Sequence, residues 1–159
     1  MIRILLIAVT LFLLGASTPD DARKANEAYR NGDYTTAIGL YKKAIEDDPE
    51  NAKLYFNMAN ALAKEGQTEE AIRYYEQFRT RTDDPEQRAL ADYNIGNVYS
   101  EIEQWDKALK HYKDALRQND ADVDAKHNYE LALKNKQQQD QQQQQQNQDQ
   151  DQDQDQDQQ

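Results

Sequence analysis

Two histidines, no cysteine and an excess of carboxylates bound the chemistry open to this chain of 159 residues. Without Cys there can be no disulfide, no thiolate metal site and no sulfur nucleophile. His111 and His127 fall on separate helical stretches with no third ligand at matching spacing, so they do not read as a zinc site. Asp120, Asp122 and Asp124 alternate like the opening of a calcium loop. Such a loop needs Gly at its sixth position and a bidentate Glu at its twelfth, and here Ala125 and Leu131 stand there. These Asp read instead as a turn that caps the helix after it. Glu69 and Glu70 are adjacent carboxylates at a helix start, where they favour the helix dipole. No nucleophile is spaced to meet a base. The expectation is a protein with no catalytic residues, no cofactor and no metal.

Recognition chemistry remains, and charge narrows it. Thirty acidic residues against 19 basic give −11, which argues against a nucleic-acid binder. The chain divides into three segments. Met1–Ser17 has one charge, Arg3, then an apolar run from Ile4 to Leu14 and the small residues Gly15, Ala16 and Ser17. That order predicts an export signal cleaved after Ser17. A retained membrane anchor is the alternative, because the uncharged stretch falls just short of the roughly 17–25 residues that span a bilayer. In either case the rest of the chain is exported, to the periplasm or to the periplasmic side of the inner membrane. Gln137–Gln159 holds 16 Gln, six Asp and one Asn, with no apolar residue. It cannot bury enough surface to offset its ordering entropy, so disorder is expected, with the first few Gln extending the preceding helix.

The middle, residues 18–136, repeats. Ala37, Ile38, Tyr41 and Ala44 are answered by Ala71, Ile72 and Tyr75, and then by Ala108, Leu109, Tyr112 and Ala115. The steps are 34 and then 37 residues, while Asn57, Asn94 and Asn128 step by 37 and then 34. A three-residue insertion therefore lies between the second and third units, near Arg81–Pro85. Ile38, Tyr41 and Ile45 recur at helical spacing. Gly32, Gly66 and Glu103-Gln104 mark turns inside the units, and Asp48-Pro49 ends the first. Three helix pairs are predicted, about 18–51, 52–85 and 89–122, with a capping helix at 123–136. A single pair cannot bury its apolar face, so the pairs must stack.

These residues resemble the tetratricopeptide repeat. Gly32-Asp33-Tyr34, Ala37, Tyr41, Ala44, Asp48-Pro49, Asn57, Gly66, Ala71, Tyr75, Gly96, Tyr99, Ala108, Tyr112 and Ala115 carry the likeness. Phe78 departs from it, standing where a small residue is expected, and with the insertion it predicts a wider junction between units two and three. The resemblance implies an all-α solenoid whose first helices line a concave peptide-binding groove. Carried onto this chain, the groove residues are Arg23, Asn26, Tyr29 and Arg30, then Lys53, Phe56, Asn57, Asn60 and Lys64. Tyr93, Asn94 and Asn97 follow from unit three, and Asn128 from the last helix. Lys134 adds a cation, and Glu101 is the sole acid. Amides can pair with peptide backbone without reading its sequence, and the cations favour an acidic or extended segment. Alternatively, Asn57, Asn94 and Asn128 brace neighbouring repeats. A carboxylate clamp, known in a related form of the fold, lacks its cations here, with Ala22, Leu90 and Asn94 in their places.

The hydrophobic N-terminus, the few repeats, the run Asp124-Ala-Lys-His-Asn-Tyr-Glu-Leu-Ala-Leu133 and the Gln-rich end are similar to the tetratricopeptide component (BatC-type) of Bacteroides-type Bat aerotolerance operons. That likeness implies a scaffold in a membrane complex with von Willebrand A-domain proteins, linked to stress tolerance. A periplasmic chaperone-like assembly factor is one alternative. Self-association, with the acidic tail of one copy in the groove of another, is a second.

Overall fold

A computed structural model describes the backbone of residues 19–156 and the side chains of residues 20–146. The segment read as an export signal lies outside the described residues. Seven helices follow one another: α1 (Pro19–Arg30), α2 (Tyr34–Asp47), α3 (Ala52–Lys64), α4 (Thr68–Thr80), α5 (Pro85–Glu101), α6 (Trp105–Gln118) and α7 (Val123–Gln156). There is no strand among the described residues. No helix described is long and apolar enough to cross a membrane.

The three helix pairs close in the same way. Asp33 N–H donates to the Ala28 carbonyl, Gln67 N–H to that of Leu62 and Gln104 N–H to that of Tyr99, each at 2.9 Å. This bond pattern needs a left-handed residue just before the donor. Gly32 and Gly66 supply it with φ of 79°, and Glu103 takes the same place at φ 58° in the unit that lacks glycine. Asp33 then caps α2 by accepting from Thr36 N–H, and Asp84 caps α5 ahead of Pro85.

Small residues let the pairs close up. Ala37, Ala71 and Ala108 are fully buried, and Tyr41, Tyr75 and Tyr112 are buried beside them. Ala25, Ala59 and Gly96 occupy one register on the first helices, and at Gly96 the approach is closest. A Cβ there would lie 2.6 Å from the Tyr112 ring. Gly96→Ala should therefore destabilise by up to about 2 kcal/mol, since overpacking outweighs the gain in helix propensity. Gly39, exposed on α2 with nothing within 4 Å of its Cβ position, should show the opposite sign. Gly39→Ala should stabilise by about 0.5–1 kcal/mol. Urea denaturation of the two variants checks both signs.

The extra residues between units two and three do not lengthen the loop. They form an added turn at the start of α5, which has 17 residues against 13 in α3. The wider junction expected there is found only between the first helices, since α4 packs against α5 as fully as α2 does against α3. α1 packs against α3, and α5 against α7, whereas α3 and α5 stand farther apart. Phe78 is buried against Tyr55 and Ala91, in a volume exchange with unit two, which has Leu54 at the register of Ala91.

A charge ends the stacking of helix pairs at α7. Glu130 occupies the register of Ala25, Ala59 and Gly96 and is exposed, so a charge sits where a fourth second helix would dock. Past Lys136, where sequence reading ends the capping helix, α7 continues to Gln156. Its first added turn is anchored, with Lys136 Nζ 3.2 Å from Asp140 and 3.3 Å from Asp106 of α6. Side chains 141–146 are all exposed, and a helix with no apolar face to bury is only marginally stable alone. Truncation after Asp140 should leave the unfolding free energy within about 0.5 kcal/mol of the full chain. In the full chain, amides beyond that residue should exchange fast.

Candidate functional site

The floor of the concave face is a set of three Asn–Tyr pairs. The Tyr41 hydroxyl donates to Asn26 Oδ1 at 2.7 Å, Tyr75 to Asn60 at 2.6 Å and Tyr112 to Asn97 at 2.9 Å. Each pair joins the two helices of one unit. Burial raises the Tyr41 and Tyr112 hydroxyls to about 12 and pushes Tyr75 higher still. These hydroxyls therefore remain donors across the physiological range, and the Asn oxygens are held inward. Asn60 and Asn97 line the cavities of this face, and their amino groups are left for an outside acceptor. No hydrogen bond within the described residues uses Nδ2 of Asn26, Asn60 or Asn97.

Between units the amides behave in two ways. Asn57 Nδ2 donates to Asn26 Oδ1 at 3.2 Å, and Asn128 Nδ2 to Asn97 Oδ1 at 2.9 Å. Both therefore brace neighbouring repeats. Asn94, their register mate, instead donates to the Leu90 carbonyl of its own helix at 2.8 Å. The wider α3–α5 gap removes its partner, and the amide ladder is broken there.

A cavity of about 370 Å³ opens at that break. Tyr29 of the first unit and Tyr93 of the third reach it together, with Phe56, Asn60, Lys64 and Asn94 between them. A second, of about 410 Å³, lies between α5 and α7 and is lined by Asn97, Tyr112 and Asn128. Phe56 is partly committed to packing, with its ring 5.0 Å from Phe78 and 5.8 Å from Tyr75. The cations separate into two kinds. Arg23 is paired along its own helix, 2.6 Å from Asp20 and 3.8 Å from Glu27. Arg30, Lys53 and Lys64 are exposed, with no ion pair to a described residue. Donor amides beside Lys64, the unpaired cation that lines the first cavity, suit carbonyl and carboxylate groups.

One buried cluster escapes sequence reading. Asp92 is 2% exposed and accepts from Arg79 of α4 at 2.8 Å, with His111 Nδ1 3.0 Å away and Gln118 Nε2 donating at 3.1 Å. Arg88, in the added turn of α5, donates to Gln118 at 3.2 Å. Burial pushes the Asp92 carboxyl up, but the His111 hydrogen bond and the Arg79 charge outweigh it and hold the group below the usual range. Asp114 follows His111 by three residues on α6, and the fold adds Asp92 of α5, so that ligand atoms of the three lie within 4.8 Å of one another. Cations already answer both carboxylates, since Arg117 lies 2.8 Å from Asp114. The cluster is an ionic joint between units two and three.

Its origin is visible in the register. The first joint has Ile45, Tyr55 and Tyr74 packed together. Adding the repeat steps of 34 and 37 residues lands on Arg79, Asp92 and His111. An apolar joint in one place is an ionic joint in the next, and aligning the units position by position would have found it.

Comparisons with known proteins agree with this architecture. Two family profiles, each described as tetratricopeptide repeat, match residues 28–92 and 93–124. Protein O-mannosyl-transferase Tmtc3 of Drosophila melanogaster is 34% identical over 87 residues, covering 54% of this chain and 9% of that protein. Stress-induced-phosphoprotein 1 of Caenorhabditis elegans is 47% identical over 45 residues, 28% of this chain and 14% of that one. This chain therefore spans only a small part of the curated relatives it matches. Among solved structures, the first repeat domain of Spaghetti (RPAP3), bound to the HSP90 peptide SRMEEVD, superposes with a TM-score of 0.64. Its identity is 20%, over 72% of this chain and 89% of that one. Helix pairs, turn closures, Asn–Tyr floor and matched profiles lead to one conclusion: the chain belongs to the tetratricopeptide repeat family.

Proposed function

We propose that this chain is a non-enzymatic scaffold of the bacterial cell envelope whose groove holds an acidic, extended segment of a partner protein. Domains of this family mediate protein–protein interaction. The observation that carries the finer reading is the concave floor. The Asn26, Asn60 and Asn97 amino groups are turned outward by buried tyrosines, and the exposed Arg30, Lys53 and Lys64 are free of partners among the described residues. Such a surface donates to backbone carbonyls and attracts carboxylates. The acidic peptide SRMEEVD bound by the similar repeat domain supports the same chemistry.

The envelope setting rests on the Ile4–Leu14 run followed by Gly15, Ala16 and Ser17. The partner class rests on the likeness to the Bat-type repeat component, and is a von Willebrand A-domain membrane protein in a complex linked to stress or oxygen tolerance. The test is capture of the tagged full-length protein from mildly crosslinked native membranes. A small stoichiometric set containing von Willebrand A-domain proteins is expected. A diffuse set of envelope clients would replace this reading with a chaperone-like one, and recovery of the chain alone would replace it with self-association.

A further inference from the structure

We infer that the groove selects a segment carrying two bulky apolar side chains three residues apart, with acidic residues outside that pair and none between them. The inference rests on the peptide-binding reading above and specifies what that peptide must contain.

The two concave cavities lie on either side of α5 and share Asn97 and Glu101 as their common wall. Each presents an exposed leucine. Leu90, 41% exposed, lines the first and Leu131, 46% exposed, lines the second. Aromatic rings complete both, Tyr29, Phe56 and Tyr93 in the first and Tyr112 in the second. An apolar side chain entering either would remove that surface from water.

The separation decides the spacing. Cavities flanking one helix are separated by that helix's own width, roughly 10 Å with its side chains. A polyproline-type segment rises about 3.1 Å per residue and turns once every three. Residues i and i+3 of such a segment therefore point the same way about 9 Å apart, matching the two cavities. That conformation has no internal hydrogen bonds, so its carbonyls need outside donors. The outward amino groups of Asn60 and Asn97 stand beside the cavities to supply them.

Charge orders the rest. Lys64 lines the first cavity and favours an acid flanking the first anchor. Glu101 lines both and disfavours an acid between the anchors. The chain's own tail cannot be the occupant, because Gln137–Gln159 contains no apolar residue.

The test uses the full chain, isotopically labelled, and the synthetic peptide Asp-Asp-Leu-Pro-Ser-Leu-Gly-Ser. Binding should shift the side-chain amide signals of Asn60, Asn97 and Asn128. Replacing either Leu of the peptide by Ala should weaken binding about tenfold, and Glu-Glu between the leucines should weaken it severalfold. Ala63→Phe and Ser100→Phe, one filling each cavity, should abolish binding while helical content is kept. The inference is overturned if the double-Ala peptide binds as tightly as the parent, or if the parent fails to bind at about 1 mM. Double-Ala binding that depends on Lys53 and Lys64 would leave the groove reading standing without the anchors. Parent binding that ignores Lys53, Lys64 and both cavity-filling changes would sink the groove reading itself.

Discussion

Asp92→Ala should cost about 3 kcal/mol of folding stability, the low end of what breaking a buried ion pair costs. The magnitude follows from the surroundings. The Asp92 side chain is 3% exposed, and removing it strands His111, at 10%, and Arg79, at 32%. Water reaches Arg79 and softens the loss, while His111 stays buried beside an empty place. The same carboxylate gives the fold an acid limit. Its pKa is depressed in the folded state, so its contribution is complete above the unfolded value of about 3.9. It is lost as pH falls through the lower folded value. A second variant separates charge from shape. Phe78→Ala, Arg79→Ile, Ala91→Leu, Asp92→Tyr and His111→Tyr together transplant the first joint into the second. Because apolar sets of similar volume commonly match or exceed buried ion pairs, this variant should be at least as stable as the native chain. Its stability should also be flatter below pH 4. Urea denaturation across pH measures both.

Lys53→Glu with Lys64→Glu should weaken partner capture about a hundredfold or more. Like charges brought together across an interface cost several kcal/mol, and an acidic segment would then meet two of them. Neither lysine pairs with a described residue, and both are exposed, so melting temperature and helicity should be unchanged. Native capture should also weaken with added salt, since these cations are solvent-facing. Arg23→Glu is the control. Its guanidinium is taken up by Asp20 and Glu27, so reversal there should matter far less.

Much of the fold is legible in the chain because repetition reports it several times over. Ala37, Ala71 and Ala108, with their tyrosines, mark one register, and the glycines mark the turns. The concave residues are legible only as a set, since the residue type does not say which Asn braces and which is free. Asn57 and Asn128 reach back to the preceding unit, and Asn94 does not, because the α3–α5 gap depends on an inserted turn. Arg23 looks like a groove cation until the helix brings Asp20 and Glu27 beside it. Asp92 is the hardest to see. A lone Asp inside a polar-looking helix reads as solvated, and its partners sit 13, 19 and 26 residues away on two other helices. The tail is ambiguous for a physical reason. Gln supports helix, but nothing beyond Asp140 gives a helix a face to pack.

A partner held in the concave groove must lie within reach of a crosslinker placed there. Site-specific photocrosslinking in native membranes tests that placement most directly, with the reactive side chain placed at Asn94 in one version and at exposed Glu76 of α4 in another. A single discrete adduct from position 94, lost with Lys53→Glu and Lys64→Glu, and none from position 76, is the result expected. Adducts of equal yield from both positions, or from position 76 alone, would contradict it.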